Sequence, residues 1–147
     1  MDSWICGAVG WNNLCIPEEI MILSRVDNLL PRLTRSGVRE STRTPIPPGA
    51  GAVSVHVKMD PLQKLDPARS FSLNVWVLTQ GERHYCGGQT WRGGPTLDKD
   101  GVPDDRDPVL RVGPLTRFAG RGEAWIVLDA PCALDCSCDL IFDDQPR

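Results

Sequence analysis

Between Ser70 and Leu78 the sequence repeats with a period of two. Phe71, Leu73, Val75 and Val77 fall on one side and Ser70, Ser72 and Asn74 on the other, the spacing that a pleated strand imposes. A lone strand cannot bury its apolar side, so this one demands neighbours. Its polar side turns apolar at Trp76 and Leu78, which places it inside a sheet with some cover on both faces. The stretch from Ser70 to Trp91 is therefore expected to organise the chain. Val53, Val55, Val57 and Met59 alternate in the same way with Ser54, His56 and Lys58, so His56 is expected on the solvent side.

The remaining segments read as further sheet. Gly81-Glu-Arg suggests a turn, His84 to Cys86 a short return strand, and Val109 to Gly113 the start of another. Glu123 to Asp129 alternates clearly and Pro131 is expected to close it, leaving Ala133 to Phe142 as a separate last strand. Six or seven strands punctuated by 14 Gly and 13 Pro in 147 residues fit one all-β domain, a single antiparallel β-sandwich of jelly-roll type. Residues 1–43 read as an N-terminal extension or docking arm and residues 44–147 as the sandwich. Pro17 before Glu18 and Glu19 is a good helix opening. One short helix is thus expected towards Leu30, with a buried strand over Ile20 to Leu23 as the alternative.

A net charge of −3 gives no general attraction for nucleic acid. No apolar run is long enough for a membrane span, and no signal peptide is expected from a start at Met1-Asp2. Six cysteines in such a chain are expected as free thiols. Cys136 and Cys138 share a face with Leu134, Leu140 and Phe142 and read as core. With Cys132 they lack the paired knuckles of structural zinc. Outside a reducing compartment, Cys6 with Cys15 would be a local disulfide pair. His84 and Cys86 share a strand face, but no orienting acid or oxyanion hole accompanies them.

Two stretches carry binding readings. Arg32, Arg35, Arg39 and Arg43 are spaced almost evenly between Pro31 and Pro48, in a linker or a long surface strand. With Trp4 and Trp11 in the apolar start of the chain, they would dock an acidic neighbour or a second copy; the alternative is solvated surface. The loop from Thr96 to Asp107 resembles the second half of a thrombospondin type 3 calcium repeat. Asp98, Asp100, Asp104 and Asp107 stand at carboxylate positions and Gly101 at the sharp turn, which implies calcium as the one suggested cofactor; the alternative is an exposed acidic turn.

The order of these features resembles a family. A Pro-Pro-Gly-Ala turn leads into Val53-Ser-Val-His-Val, Asp-Pro-Ala-Arg-Ser-Phe leads into the strand at Phe71, and Gly87-Gly-Gln-Thr-Trp follows. From Thr44 to Phe142 the chain is similar to small β-sandwich proteins encoded among the structural genes of tailed bacteriophages. The resemblance implies a non-enzymatic virion accessory component, such as a capsid decoration, fibre or tail-associated subunit. Its partners would be other virion subunits in a homo-oligomer, with no nucleic acid and no membrane, and its place the virion after synthesis in the host cytoplasm. The Gly-Gly-Gln-Thr-Trp piece is also similar to the Asp-box of sialidases, with Cys86 in place of the Asp, but those boxes are structural turns. The alternative function is a carbohydrate-binding module, with calcium in the acidic loop and Trp76, Trp91 and Trp125 stacking on sugar.

Bound calcium would make Asp100→Ala combined with Asp104→Ala lower the melting temperature in calcium but not in chelator. Identical melts in both buffers would remove that site.

Overall fold

The computed structural model describes residues 21–95, 97, 99–102 and 107–146, together with the backbone of residues 4–6 and 15–17. Strands β1 (Trp4–Cys6) and β2 (Cys15–Pro17) form a two-stranded antiparallel sheet in which Cys6 and Cys15 are register partners. All other strands belong to one antiparallel sheet: β3 (Ile22–Glu40), β4 (Thr44–Pro45), β5 (Ala52–Met59), β6 (Phe71–Thr79), β7 (Glu82–Trp91), β8 (Val109–Val112) and β9 (Glu123–Asp143).

The sheet is built on β9. One edge carries β6 along its first half and β5 along its second; the other edge carries β4 and then β3 for most of its length. β7 lies outside β6 and β8 outside β5. The sheet curls through β9 until it is nearly closed, and a Cβ on Gly87 of β7 would touch Val112 of β8. One continuous core fills the space, with Val55, Leu73, Ile126, Leu140 and Phe142 wholly buried. Each such side chain contributes about 1.5–3 kcal/mol.

Several expectations hold and others need correction. The fold is all-β and antiparallel, and β5 and β6 present the faces that their alternation indicates. The β6–β7 turn centres on Gln80 and Gly81, both at positive φ, as a two-residue hairpin turn requires. Glu123 to Asp143 is one strand rather than two, because Pro131 falls where the pairing with β3 slips between Ala130 and Leu134, so its missing N–H interrupts no ladder there. No helix occupies 21–30; that segment is strand. The short helix is α1 (Pro61–Leu65), opened by Pro61 and by the Asp60 carboxylate accepting from the Leu62 amide at 2.8 Å. Residues 22–40, expected in an arm, are paired into the same sheet as the sandwich strands.

The outer face of β9 is held by charge. Asp135, Asp139 and Asp143 recur every fourth residue; the first two meet cations from the flanking strands β3 and β5, and Asp143 meets Arg111 of β8, one strand further out. Asp143 receives both Arg111 guanidinium nitrogens, at 2.5 and 2.9 Å. Asp139 lies 3.0 Å from Lys58 and 3.3 Å from Arg25, and accepts the Asn28 amide at 2.8 Å. Asp135 Oδ1 is 2.7 Å from Arg32 Nε, an ion-pair distance without hydrogen-bond geometry. Burial alone would raise the Asp139 carboxyl, yet the Asn28 amide, Lys58 and Arg25 together hold it below the usual carboxylate range.

Inside the curled sheet, Arg39 is only 4% exposed. It donates to the Pro31 carbonyl at 3.2 Å and to the Cys136 sulfur at 3.3 Å. A hydrogen bond from Cys138 and the Arg39 charge hold the Cys136 thiol below its ordinary range despite burial, while the same pairing and burial push Cys138 up. Both sulfurs are fully buried, as their alternation with polar residues indicates.

Asp139→Asn is expected to cost about 1 kcal/mol at neutral pH, because the buried carboxylate loses its attraction to Lys58 and Arg25, which are themselves nearly half exposed and partly screened by water. A carboxyl whose folded pKa lies below its unfolded value stabilises the fold above about pH 4 and loses that contribution as pH falls through the lowered pKa. The gap between wild type and variant should therefore close in acid, measured by calorimetry across pH; a constant gap would contradict the ion pair. Cys136→Ala should cost about 1–3 kcal/mol in urea unfolding, since it opens a void and strips Arg39 of its sulfur acceptor. Equal stability would show that the sulfur contributes nothing.

Candidate functional site

Two places on the molecule gather side chains suited to binding. The first lies on the outer face where β7, β6 and β9 run side by side. Register sets Trp76 of β6 opposite Tyr85 of β7 on one side and Trp125 of β9 on the other. The Trp76 and Tyr85 rings meet edge-on at 5.3 Å, and Trp76 stacks towards Trp125 at 6.4 Å. The Arg43 and Arg83 guanidiniums lie over Trp125, 5.1 and 5.9 Å from its ring centre. Trp125 is held from beneath by its indole N–H, which donates to Glu40 at 3.1 Å. Tyr85, whose hydroxyl donates to Asn74, is 55% exposed. Trp125 is thus a buried anchor, and Tyr85, Trp76, Arg43 and Arg83 form the accessible surface, with Glu40 and Glu123 exposed beside them.

The second is a pocket of about 400 Å³ between the end of β7, α1 and the start of β8. Its apolar wall is formed by Phe71, Trp91, Met59 and Val109, with the Trp91 ring stacked on Phe71 at 5.1 Å. Its polar rim is Lys64, Arg69, Arg92 and Asp107. Asp107 accepts from the Met59 amide at 3.3 Å and pairs with Lys64 at 3.4 Å; Arg69 pairs with Asp66 and donates to the Ala133 carbonyl. Gly93 closes one side, because its backbone packs so tightly against Asp66 and Arg69 that any Cβ would collide with theirs. The Gly94 amide then donates to the Lys64 carbonyl at 3.0 Å.

The residues expected to bind are dispersed. Of the arginine series, Arg32 is paired with Asp135 and Arg39 is buried against Cys136, so both serve this chain's own sheet; Arg43 lies over Trp125 on the accessible surface of the first site, and Arg35 is exposed on β3. The spacing of three between Arg32 and Arg35 puts them on opposite faces of β3, and Arg43 lies beyond the end of that strand. Trp4 lies in β1, and Trp11 falls outside the described residues. Asp98 and Asp104 of the acidic loop also fall outside them, Asp100 is exposed, and Asp107 is engaged at the pocket rim. Among the described residues no three acidic, His or Cys side chains are grouped to hold a metal ion. The three tryptophans do not share a platform: Trp76 and Trp125 are on the outer face and Trp91 is in the pocket.

His84 and Cys86 do share a face of β7, but the Cys86 sulfur donates to the His84 carbonyl at 3.6 Å, and burial pushes its thiol up. The His84 ring packs instead on Phe118 at 5.1 Å. Sequence reading missed Glu40, Arg83 and Tyr85 at the first site and Lys64, Arg69 and Arg92 at the second. The signal that finds them is cross-strand register, which places Tyr85 opposite Trp76. Among the described residues no helix is long and apolar enough to cross a membrane. The chain matches no protein-family model, and no curated protein matches it.

Proposed function

We propose that this chain is a non-enzymatic structural subunit that works by contact with its neighbours, as an accessory component of a bacteriophage virion such as a capsid decoration, fibre or tail-associated protein. The outer-face cluster of Trp76, Tyr85, Arg43 and Arg83 carries the reading. Trp, Tyr and Arg are the residues that dominate the energy of protein interfaces, and here they are fixed on a rigid sheet by cross-strand packing. The patch offers two guanidiniums beside the carboxylates of Glu40 and Glu123. A surface with both signs can pair with itself about a two-fold axis, so the occupant proposed is a second copy of this chain. The virion assignment rests on the resemblance over Thr44 to Phe142. Its turn at Pro47 to Ala50 joins β4 to β5, its Asp66 to Phe71 link leads into β6, and its Gly87 to Trp91 piece lies in β7.

Native mass by sedimentation and light scattering tests this reading. The 16.2 kDa chain should run as a two-fold dimer or an assembly of such dimers, and Arg83→Glu combined with Tyr85→Ala should weaken assembly by about tenfold or more while the circular dichroism of the folded chain is unchanged. A monomeric wild type, or a double variant that assembles equally well, would overturn it.

A further inference from the structure

We propose that the pocket beside Trp91 binds a single acidic sugar unit, a six-membered ring carrying a carboxylate, as a site separate from the subunit contact. The half-buried Trp91 ring is backed on one face by Phe71 and lines the cavity. A flat aromatic wall of this kind receives the C–H face of a sugar ring while leaving its hydroxyls free to reach polar groups. The volume of about 400 Å³ holds one or two such rings rather than a long chain.

Charge selects an acidic sugar over a neutral one. The rim carries three cations, Lys64, Arg69 and Arg92, and one carboxylate, Asp107, with Asp66 pairing Arg69 from outside the lining, which leaves a surplus of one positive charge on a chain whose net charge is −3. A local surplus of positive charge opposite in sign to the whole molecule calls for an anionic group. Lys64 is committed to Asp107 and Arg69 to Asp66 and the Ala133 carbonyl. Arg92 is exposed and makes no ion pair among the described residues, and its planar guanidinium can grip a carboxylate through two parallel hydrogen bonds. Asp107 then remains an acceptor for ring hydroxyls. The apolar wall, the cationic rim and the single acceptor come from four separate segments: the end of β5, α1 with its link to β6, the end of β7, and the approach to β8.

Saturation-transfer and chemical-shift titrations of the full chain with D-glucuronate and N-acetylneuraminate test the proposal, with D-glucose and N-acetylglucosamine as neutral controls and benzoate as an acid without a sugar ring. At least one acidic sugar should bind, with transfer from the Trp91 ring protons, and neutral sugars should bind about tenfold more weakly or not at all. Arg92→Gln, at an exposed position, should lower acidic-sugar affinity by about tenfold at an unchanged melting temperature. Absence of binding by both acidic sugars, equal binding of the neutral ones, benzoate binding without sugar binding, or an unaffected Arg92→Gln variant would each overturn it. Because none of these readouts depends on assembly, they can fail while the subunit reading stands.

Discussion

The constraint on which this molecule depends is that β9 is hydrogen-bonded along both edges while both of its faces are largely covered. A strand so placed must satisfy four demands at once. Its backbone is satisfied by β3 and β4 on one edge and by β6 and β5 on the other. Its inner face is apolar, from Ala124 to Phe142, and supplies the floor of the core. Its outer face must then carry groups that tolerate partial burial. The solution is aspartate every fourth residue, opposed by Arg32 and Arg25 of β3, Lys58 of β5 and, reaching across β5, Arg111 of β8. Truncating one partner of such a pair costs more than the pair itself contributes, because the other charge is left without compensation. The ladder therefore fixes which strands can flank β9, and specifies register as much as it adds stability.

The binding surfaces follow from the same arrangement. At its first half β9 presents Trp125 outward, and the flanking strands bring Trp76, Tyr85 and two arginines to it. The sheet's curl brings the ends of β5 and β7 and the approach to β8 around one cavity, with α1 as its lid-like edge and Asp107 tying α1 to the Met59 amide. Neither place is encoded as a motif. Both are assembled by pairing between segments far apart in sequence.

That is why the fold was more legible than its sites. β5 and β6 are regular, so a period of two reveals them directly. β3 is longer yet hidden, because its pairing with β9 slips at four points, including the left-handed Asn28. Each extra residue shifts the inward parity by one. Leu23, Val26 and Leu30 consequently reach the core at spacings of three and four, which imitates a helix. Pro131 similarly imitates a strand end, although it lies within β9 where pairing with β3 lapses. Arg39 gave no sequence signal that separates it from its exposed neighbour Arg35: the two are four residues apart and pair with Leu128 and Leu134, both buried, so alternation and register treat them alike.

Native-state hydrogen exchange resolved by residue tests most directly whether β3 and β9 form one cooperative unit. Amides of β3 that pair with β9 should exchange with the same protection as the β9 core, at the free energy of global unfolding. If residues 22–40 instead exchanged freely while β5, β6 and β9 stayed protected, this segment would be a detachable arm, and the charged ladder could not be what holds the sheet together.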